Sequence, residues 1–186
     1  MTILTATTIL LPDELVRSYA IRVRLRNAHA KPAFTLDALF GSPKFALDAT
    51  LAGPLDVFAA IVGSPVEDVI DRHTHLPWHR PFLHPDSYAD AQQALATRDI
   101  RRLRLRFKRA QVPQWRTNEP LAFCPACCRE DIKLRGYSYW RRTHQLTVLR
   151  YCPEHRLELI DRCPSCQSPA LAAGDWRLPE IGRAHV

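Results

Sequence analysis

The sequence predicts an α-rich N-terminal domain over residues 1–110, with a helix-turn-helix-like pair near 54–73, and a small α+β domain over 111–186 organised by cysteine turns. Three observations carry this division. Apolar residues recur with a helical period early in the chain, as in Leu11, Leu15, Tyr19 and Val23. All six cysteines (Cys124, Cys127, Cys128, Cys152, Cys163 and Cys166) fall in the second half. Charge divides the same way, because residues 1–97 carry a net −2 and residues 98–186 a net +9 out of the total of +7.

The first helix is expected from Leu11-Pro-Asp-Glu to about Ala28, with Pro12 at the first helical position and Asp13 and Glu14 opposing the N-terminal dipole. Arg22, Arg24 and Arg26 then fall at its end, where a solvated terminus is favoured over phosphate contact. A short helix over Thr35 to Phe40, stopped by Gly41, follows. Pro54 opens a helix whose apolar face is Leu55, Phe58, Ala59 and Val62, and Gly63 stops it. Ser64-Pro-Val-Glu67 reads as a capping box for a second helix, whose core face is Val66, Val69 and Ile70. Ala59, Gly63 and Val69 match helix-turn-helix spacing, but Glu67, Asp68 and Asp71 would repel phosphates, so packing or protein contact is favoured over DNA reading. His73, His75 and His79 flank Pro77 and Trp78, and a half-buried loop on Trp78 is favoured over metal binding.

Residues 86–97 form an Ala-rich helical segment. After it, Arg101, Arg102, Arg104, Arg106, Lys108 and Arg109 interleave with Leu103, Leu105 and Phe107, a pattern that suits a strand and also fits a helix. Its cationic face is suited either to nucleic acid or to solvent and the acidic first half. No apolar run approaches the roughly 18 residues of a membrane span, and Met1 to Leu11 lacks signal-peptide character. A cytosolic location follows as an expectation. There thiols stay reduced, so paired cysteines point to metal or redox chemistry.

Cys124-Pro-Ala-Cys127 is followed by Cys152-Pro-Glu-His155 and Cys163-Pro-Ser-Cys166. A Cys-x-x-Cys turn brings two sulfurs to one ion at ~2.3 Å each, and a second turn completes a tetrahedron. Cys124, Cys127, Cys152 and His155 therefore make a Cys3His set for zinc, structural because four protein ligands leave no open position. Short hairpins at Leu146-Thr-Val148 and Leu157-Glu-Leu159 are expected to frame it. Cys163 and Cys166 need two more ligands: the chain stops before a partner turn, the pair carries no metal, or His185 and an outside group serve, the first being favoured. A dithiol redox site would want a βαβ setting with its first cysteine at a helix start. A catalytic zinc would want an open position and an adjacent acid or base.

Phe123-Cys-Pro-Ala-Cys-Cys-Arg-Glu-Asp131, Gly136-Tyr-Ser-Tyr-Trp-Arg-Arg-Thr-His-Gln-Leu146, Cys152-Pro-Glu-His155 and Cys163-Pro-Ser-Cys166 together resemble the TniQ family of transposition proteins, as does Leu11-Pro-Asp-Glu-Leu-Val-Arg-Ser-Tyr19. The resemblance implies a non-enzymatic adaptor that helps select target DNA and recruits the transposon AAA+ ATPase and transposase. A homodimer or a target-recognition complex is a further assembly it suggests. By position it makes Cys124, Cys127, Cys152 and His155 a first zinc finger, and Cys163 and Cys166 the opening half of a second. Trp140, Arg141 and His144 match an intervening motif with no assigned role. Thr147 stands in place of a frequent Pro-Gly and Arg156 in place of a frequent Gly. The competing reading is a zinc-stabilised protein-interaction module without direct DNA binding.

Overall fold

A computed structural model describes residues 4–45, 47, 54–97, 120–170 and 175–180. The chain divides into two units, residues 1–114 and 115–186. The cationic strip from Arg101 to Arg109 and His185 lie outside the described residues.

In the first unit, α1 spans Val16–Arg26 and is buried around most of its circumference, with Val16 through Val23 all withdrawn from solvent. It starts five residues after the expected Leu11. Asp13 takes a left-handed φ of 57° and turns the chain, so Pro12, Asp13 and Glu14 form an entry turn instead of a first helical turn. Glu14 is thereby rotated inward to Arg22, two turns along α1. Arg22 Nε donates to Glu14 Oε1 at 2.8 Å and a terminal nitrogen to Oε2 at 2.7 Å. The same guanidinium donates to Thr8 Oγ1 at 3.1 Å and to the Ile9 carbonyl at 2.6 Å. Arg22 is thus an internal clamp, contrary to the solvated terminus expected of it. Burial raises the Glu14 carboxyl above its ordinary range, against the pull of Arg22 and the Leu11 amide.

Residues 5–9 run back along α1, held by Asn27, which accepts from the Thr5 and Ala6 amides, and by the Tyr19 hydroxyl, which donates to the Thr8 carbonyl at 2.9 Å. Helix α2 spans Pro32–Phe40 and ends on Gly41 at φ 67°. Helices α3 (Asp56–Val62) and α4 (Val66–His73) make a hairpin about Gly63, whose φ of 68° only glycine adopts without strain. The expected capping box does not form. The Ser64 amide closes α3 by donating to the Ala59 carbonyl at 3.1 Å, and Pro65 takes the N-cap of α4 without a side-chain acceptor.

Helix α5 (Leu76–His79) absorbs Pro77 into its first turn, then a 3-10 turn (Arg80–Phe82) leads into α6 (Pro85–Ala96). Helix α2 packs on α1 and α3, and α4 packs on α3, α5 and α6. Aromatic rings join these layers. Phe58 meets Tyr19 edge-on at 5.2 Å and stacks with Phe40 at 5.4 Å, and Phe40 stacks on Phe45 at 4.1 Å. The three histidines serve the same core: His73 Nδ1–H donates to the Glu14 carbonyl at 2.7 Å, His75 stacks on Trp78 at 4.5 Å, and His79 is buried.

The second unit contains α7 (Pro125–Arg135), ended by Gly136 at φ 80°, and a 3-10 turn over Thr143–Gln145. Among the described residues the whole chain is helix-rich, with seven α-helices and no continued strand. Extended pairing takes the form of isolated bridges, among them three antiparallel ones: Phe123 with Ile160, Tyr151 with Glu158, and Arg162 with Pro169. The α+β ribbon expected here is therefore not formed by these residues. Residues 157–159 do pair, but with 150–152, and the 3-10 turn and Thr147-Val148 occupy the place of the other hairpin arm. Pro169 has no amide to donate in the third of these pairings. Trp140, fully buried, meets Phe123 edge-on at 6.1 Å and donates its indole N–H to the Arg177 carbonyl at 2.9 Å. The Pro179 carbonyl accepts from the Ser138 hydroxyl and from the Cys128 thiol, bringing residues 177–179 onto this core.

Candidate metal centre

Cys124 is the N-cap of α7, so Cys127 falls on the first turn of that helix, and both sulfurs face the turn at Cys152-Pro-Glu-His155. The turn is a knuckle: the Cys152 amide donates to the Leu157 carbonyl and the Arg156 amide to the Cys152 carbonyl, each at 2.8 Å, with Arg156 at φ 53°. The ligand atoms of Cys124, Cys127, Cys152 and His155 all lie within 4.8 Å of one another. Cys127 Sγ is 3.7 Å from Cys152 Sγ, and His155 Nδ1 is 3.8, 3.3 and 3.7 Å from the sulfurs of Cys124, Cys127 and Cys152.

These spacings can be tested against a tetrahedral ion. Bonds of ~2.3 Å to sulfur and ~2.05 Å to nitrogen place neighbouring sulfurs about 3.8 Å apart and nitrogen about 3.6 Å from each sulfur. The Cys127–Cys152 and His155–sulfur spacings have those dimensions, the remaining sulfur pairs lie within 4.8 Å, and the cysteines form no disulfide. The residues therefore fit zinc, and the three cysteine ligands are buried with Ala126 and Leu159 packed against them.

The electrostatics point the same way. Burial pushes the Cys127 thiol up, and the nearby Cys152 and Cys124 sulfurs add to the rise against the pull of Arg141. Burial acts on Cys152 too, but the amide and imidazole of His155 outweigh it and bring that thiol down. Three crowded sulfurs cannot all be anionic without a cation among them, which is the charge a divalent ion supplies.

The intervening motif forms the support. Asp131, buried on α7, accepts from Arg141 at 2.6 and 3.1 Å and from Arg135 at 3.0 Å, and the Arg141 guanidinium lies over the Tyr139 ring at 4.2 Å. Gln145 donates to the carbonyls of Ala122 and Arg141 and accepts from the Ala122 amide, fixing the strand-like entry to Cys124. His144 Nε2 stands 4.0 Å from Cys127 Sγ, the partner its position alone did not reveal. His155 Nε2, on the far side of the ring from the sulfurs, meets Glu130 Oε1 at 2.9 Å. Sequence reasoning missed Glu130. Reading 125–135 as a helix would have placed it one turn beyond Cys127.

Cys163 and Cys166 are set apart from this cluster, yet their turn repeats its backbone. The Cys163 amide donates to the Ser168 carbonyl at 2.8 Å, the Gln167 amide to the Cys163 carbonyl at 2.9 Å, and Gln167 has φ 58°. Each bond is the counterpart of one in the Cys152 knuckle, displaced by a constant interval along the chain. Cys166 is exposed, and the Ser168 hydroxyl 3.3 Å from its sulfur helps lower its thiol pKa.

Cys124 at a helix start is half of what a dithiol redox site requires. The βαβ half is absent among the described residues, and the third and fourth ligands stand at coordination distances. Among the described residues, His73, His75 and His79 join no group able to hold a metal.

A helix-rich chain whose Cys124, Cys127, Cys152 and His155 gather at spacings compatible with a bound metal ion defines the class: a helical protein with a candidate metal centre. The TniQ family model matches residues 7–159, spanning both the clamp of α1 and the ligands, and the chain belongs to the TniQ family, whose members are transposition-associated accessory proteins. A comparison with curated proteins returns no match. No helix among the described residues is long and apolar enough to cross a membrane.

Proposed function

We propose that this protein is a non-enzymatic, cytoplasmic adaptor in DNA transposition, helping to select target DNA and recruiting the transposon AAA+ ATPase and transposase. The family match over residues 7–159 carries this reading. Zinc at Cys124, Cys127, Cys152 and His155 holds the second unit in shape. With four protein ligands it has no position for a reacting water, so its chemistry is structural. Cys163 and Cys166 form a preshaped half-site for a second zinc, supported by their repetition of the first knuckle. The strip Arg101, Arg102, Arg104, Arg106, Lys108 and Arg109 supplies phosphate contacts.

One experiment on the full chain combines metal analysis with DNA retention across a salt series. About one tightly held zinc and a log-log salt slope near −0.9 per phosphate contact support the adaptor reading. Absence of zinc would remove the finger, and a flat salt slope would remove DNA.

An alternative assigns the α3–α4 hairpin to protein contact. Glu67, Asp68 and Asp71 are exposed on α4, which suits a basic partner surface better than phosphate. Tight ATPase binding with poor DNA retention would favour it.

A further inference from the structure

We propose that Glu130 is a positioning residue for the metal centre: by accepting a hydrogen bond from His155 Nε2, it commits Nδ1 to the ion. The inference rests on the reading of the Cys3His cluster as a zinc site.

A histidine offers two nitrogens, and the one that binds a metal must be free of its proton. Here the ring is bracketed. Nδ1 faces three sulfurs at 3.3 to 3.8 Å, and Nε2 faces a carboxylate oxygen at 2.9 Å. A carboxylate only accepts, so this contact requires a proton on Nε2, and in the neutral ring that a metal ligand must be it leaves the Nδ1 lone pair directed at the sulfurs. The contact also fixes the rotation of the ring, which the backbone bonds of the Cys152–Arg156 turn do not.

The placement of Glu130 follows from α7. Cys127 and Glu130 are three residues apart on one helix, a spacing that puts both side chains on the same face. The helix that supplies a sulfur to the ion thus also supplies the carboxylate that aims the nitrogen. Glu130 is 68% exposed in its side chain and His155 21%, so the bond competes with water. Outer-shell partners of this kind contribute ten- to hundredfold to metal affinity, and exposure places Glu130 near the lower end.

The test uses the full chain and measures zinc affinity by competition with a chromophoric chelator. E130A should weaken binding by about tenfold. E130Q should retain most of the affinity, because an amide oxygen still accepts from Nε2–H. In an H155C background, E130A should have no further effect, since no imidazole remains to be oriented. Nitrogen-15 NMR of the zinc-loaded wild type should show the Nε2–H tautomer of His155. Equal affinity of E130A and wild type would overturn the proposal, as would a loss in E130Q as large as in E130A, or a loss that persists with H155C. If the wild-type chain binds no zinc, the metal reading itself falls, an outcome distinct from any of these.

Discussion

Arg22→Ala should be among the most damaging substitutions in the first unit. It removes a guanidinium that makes four contacts of 2.6 to 3.1 Å, two of them to Glu14, whose side chain has no solvent exposure. A buried carboxylate deprived of its partner costs about 3–5 kcal/mol. The Thr8 hydroxyl and Ile9 carbonyl lose their donor as well, which loosens residues 8–9 on α1 while Asn27 and Tyr19 still hold Thr5, Ala6 and the Thr8 carbonyl. With a urea m-value of about 2 kcal/mol/M, the midpoint should fall by about 2 M. Hydrogen exchange in the peptide over Val16–Arg26 should accelerate in step. Protonation of Glu14 offers an escape that burial already favours, so the loss should shrink as the pH is lowered. Arg22→Met combined with Glu14→Leu should recover much of the stability, because an apolar pair of similar volume has no desolvation penalty. An unfolding free energy for Arg22→Ala within about 0.5 kcal/mol of wild type would refute the clamp, and a double variant no more stable than Arg22→Ala would show that shape matters there more than charge pairing.

Gly63→Ala should destabilise the α3–α4 hairpin by about 1–2 kcal/mol through backbone strain alone, since φ is 68° and an added Cβ meets nothing within 4 Å; unchanged thermal unfolding would show that the turn relaxes freely. Burial holds the His79 imidazole below its ordinary pKa. The unfolded chain therefore takes up that proton first, so the stability involved is complete above about pH 6.5 and is lost as the pH falls toward the depressed folded value. The ring resonances of His79 in the full chain should titrate below about pH 6.5, and a midpoint at or above it would contradict burial as the dominant influence.

The C-terminal ends of α2 and α3 were legible because Gly41 and Gly63 mark them, α6 from its alanine-rich segment, and the Cys3His grouping because knuckle spacing restricts which side chains can meet; α2 starts at Pro32, three residues before the expected Thr35. The start of α1 was not legible. Leu-Pro-Asp-Glu is compatible with a first helical turn and with an entry turn, and the choice depends on a pairing with Arg22, Thr8 and Ile9 that no local pattern encodes. A charge at the end of an amphipathic segment reads as solvated unless its partner is known to be inside. The framework around the metal was hidden for a related reason. Alternating residues between the knuckles suggest strands, whereas Asp131, Arg141, Gln145 and Ala122 build the support from side-chain bonds to backbone and to one another. The Cys166 knuckle was visible as a motif, but that its backbone is already shaped like its neighbour could be learned only from the hydrogen bonds.

The return of residues 177–179 to Trp140, Ser138 and Cys128 has a consequence for how the finger can be cut. The region shared with the family ends at residue 159, whereas three donors of its core, an indole, a hydroxyl and a thiol, find their acceptors at Arg177 and Pro179. A fragment excised at the family boundary would keep every ligand of the Cys3His cluster and still expose the floor on which that cluster is built. The piece that relatives have in common and the piece that closes as a folded body are, in this chain, different lengths.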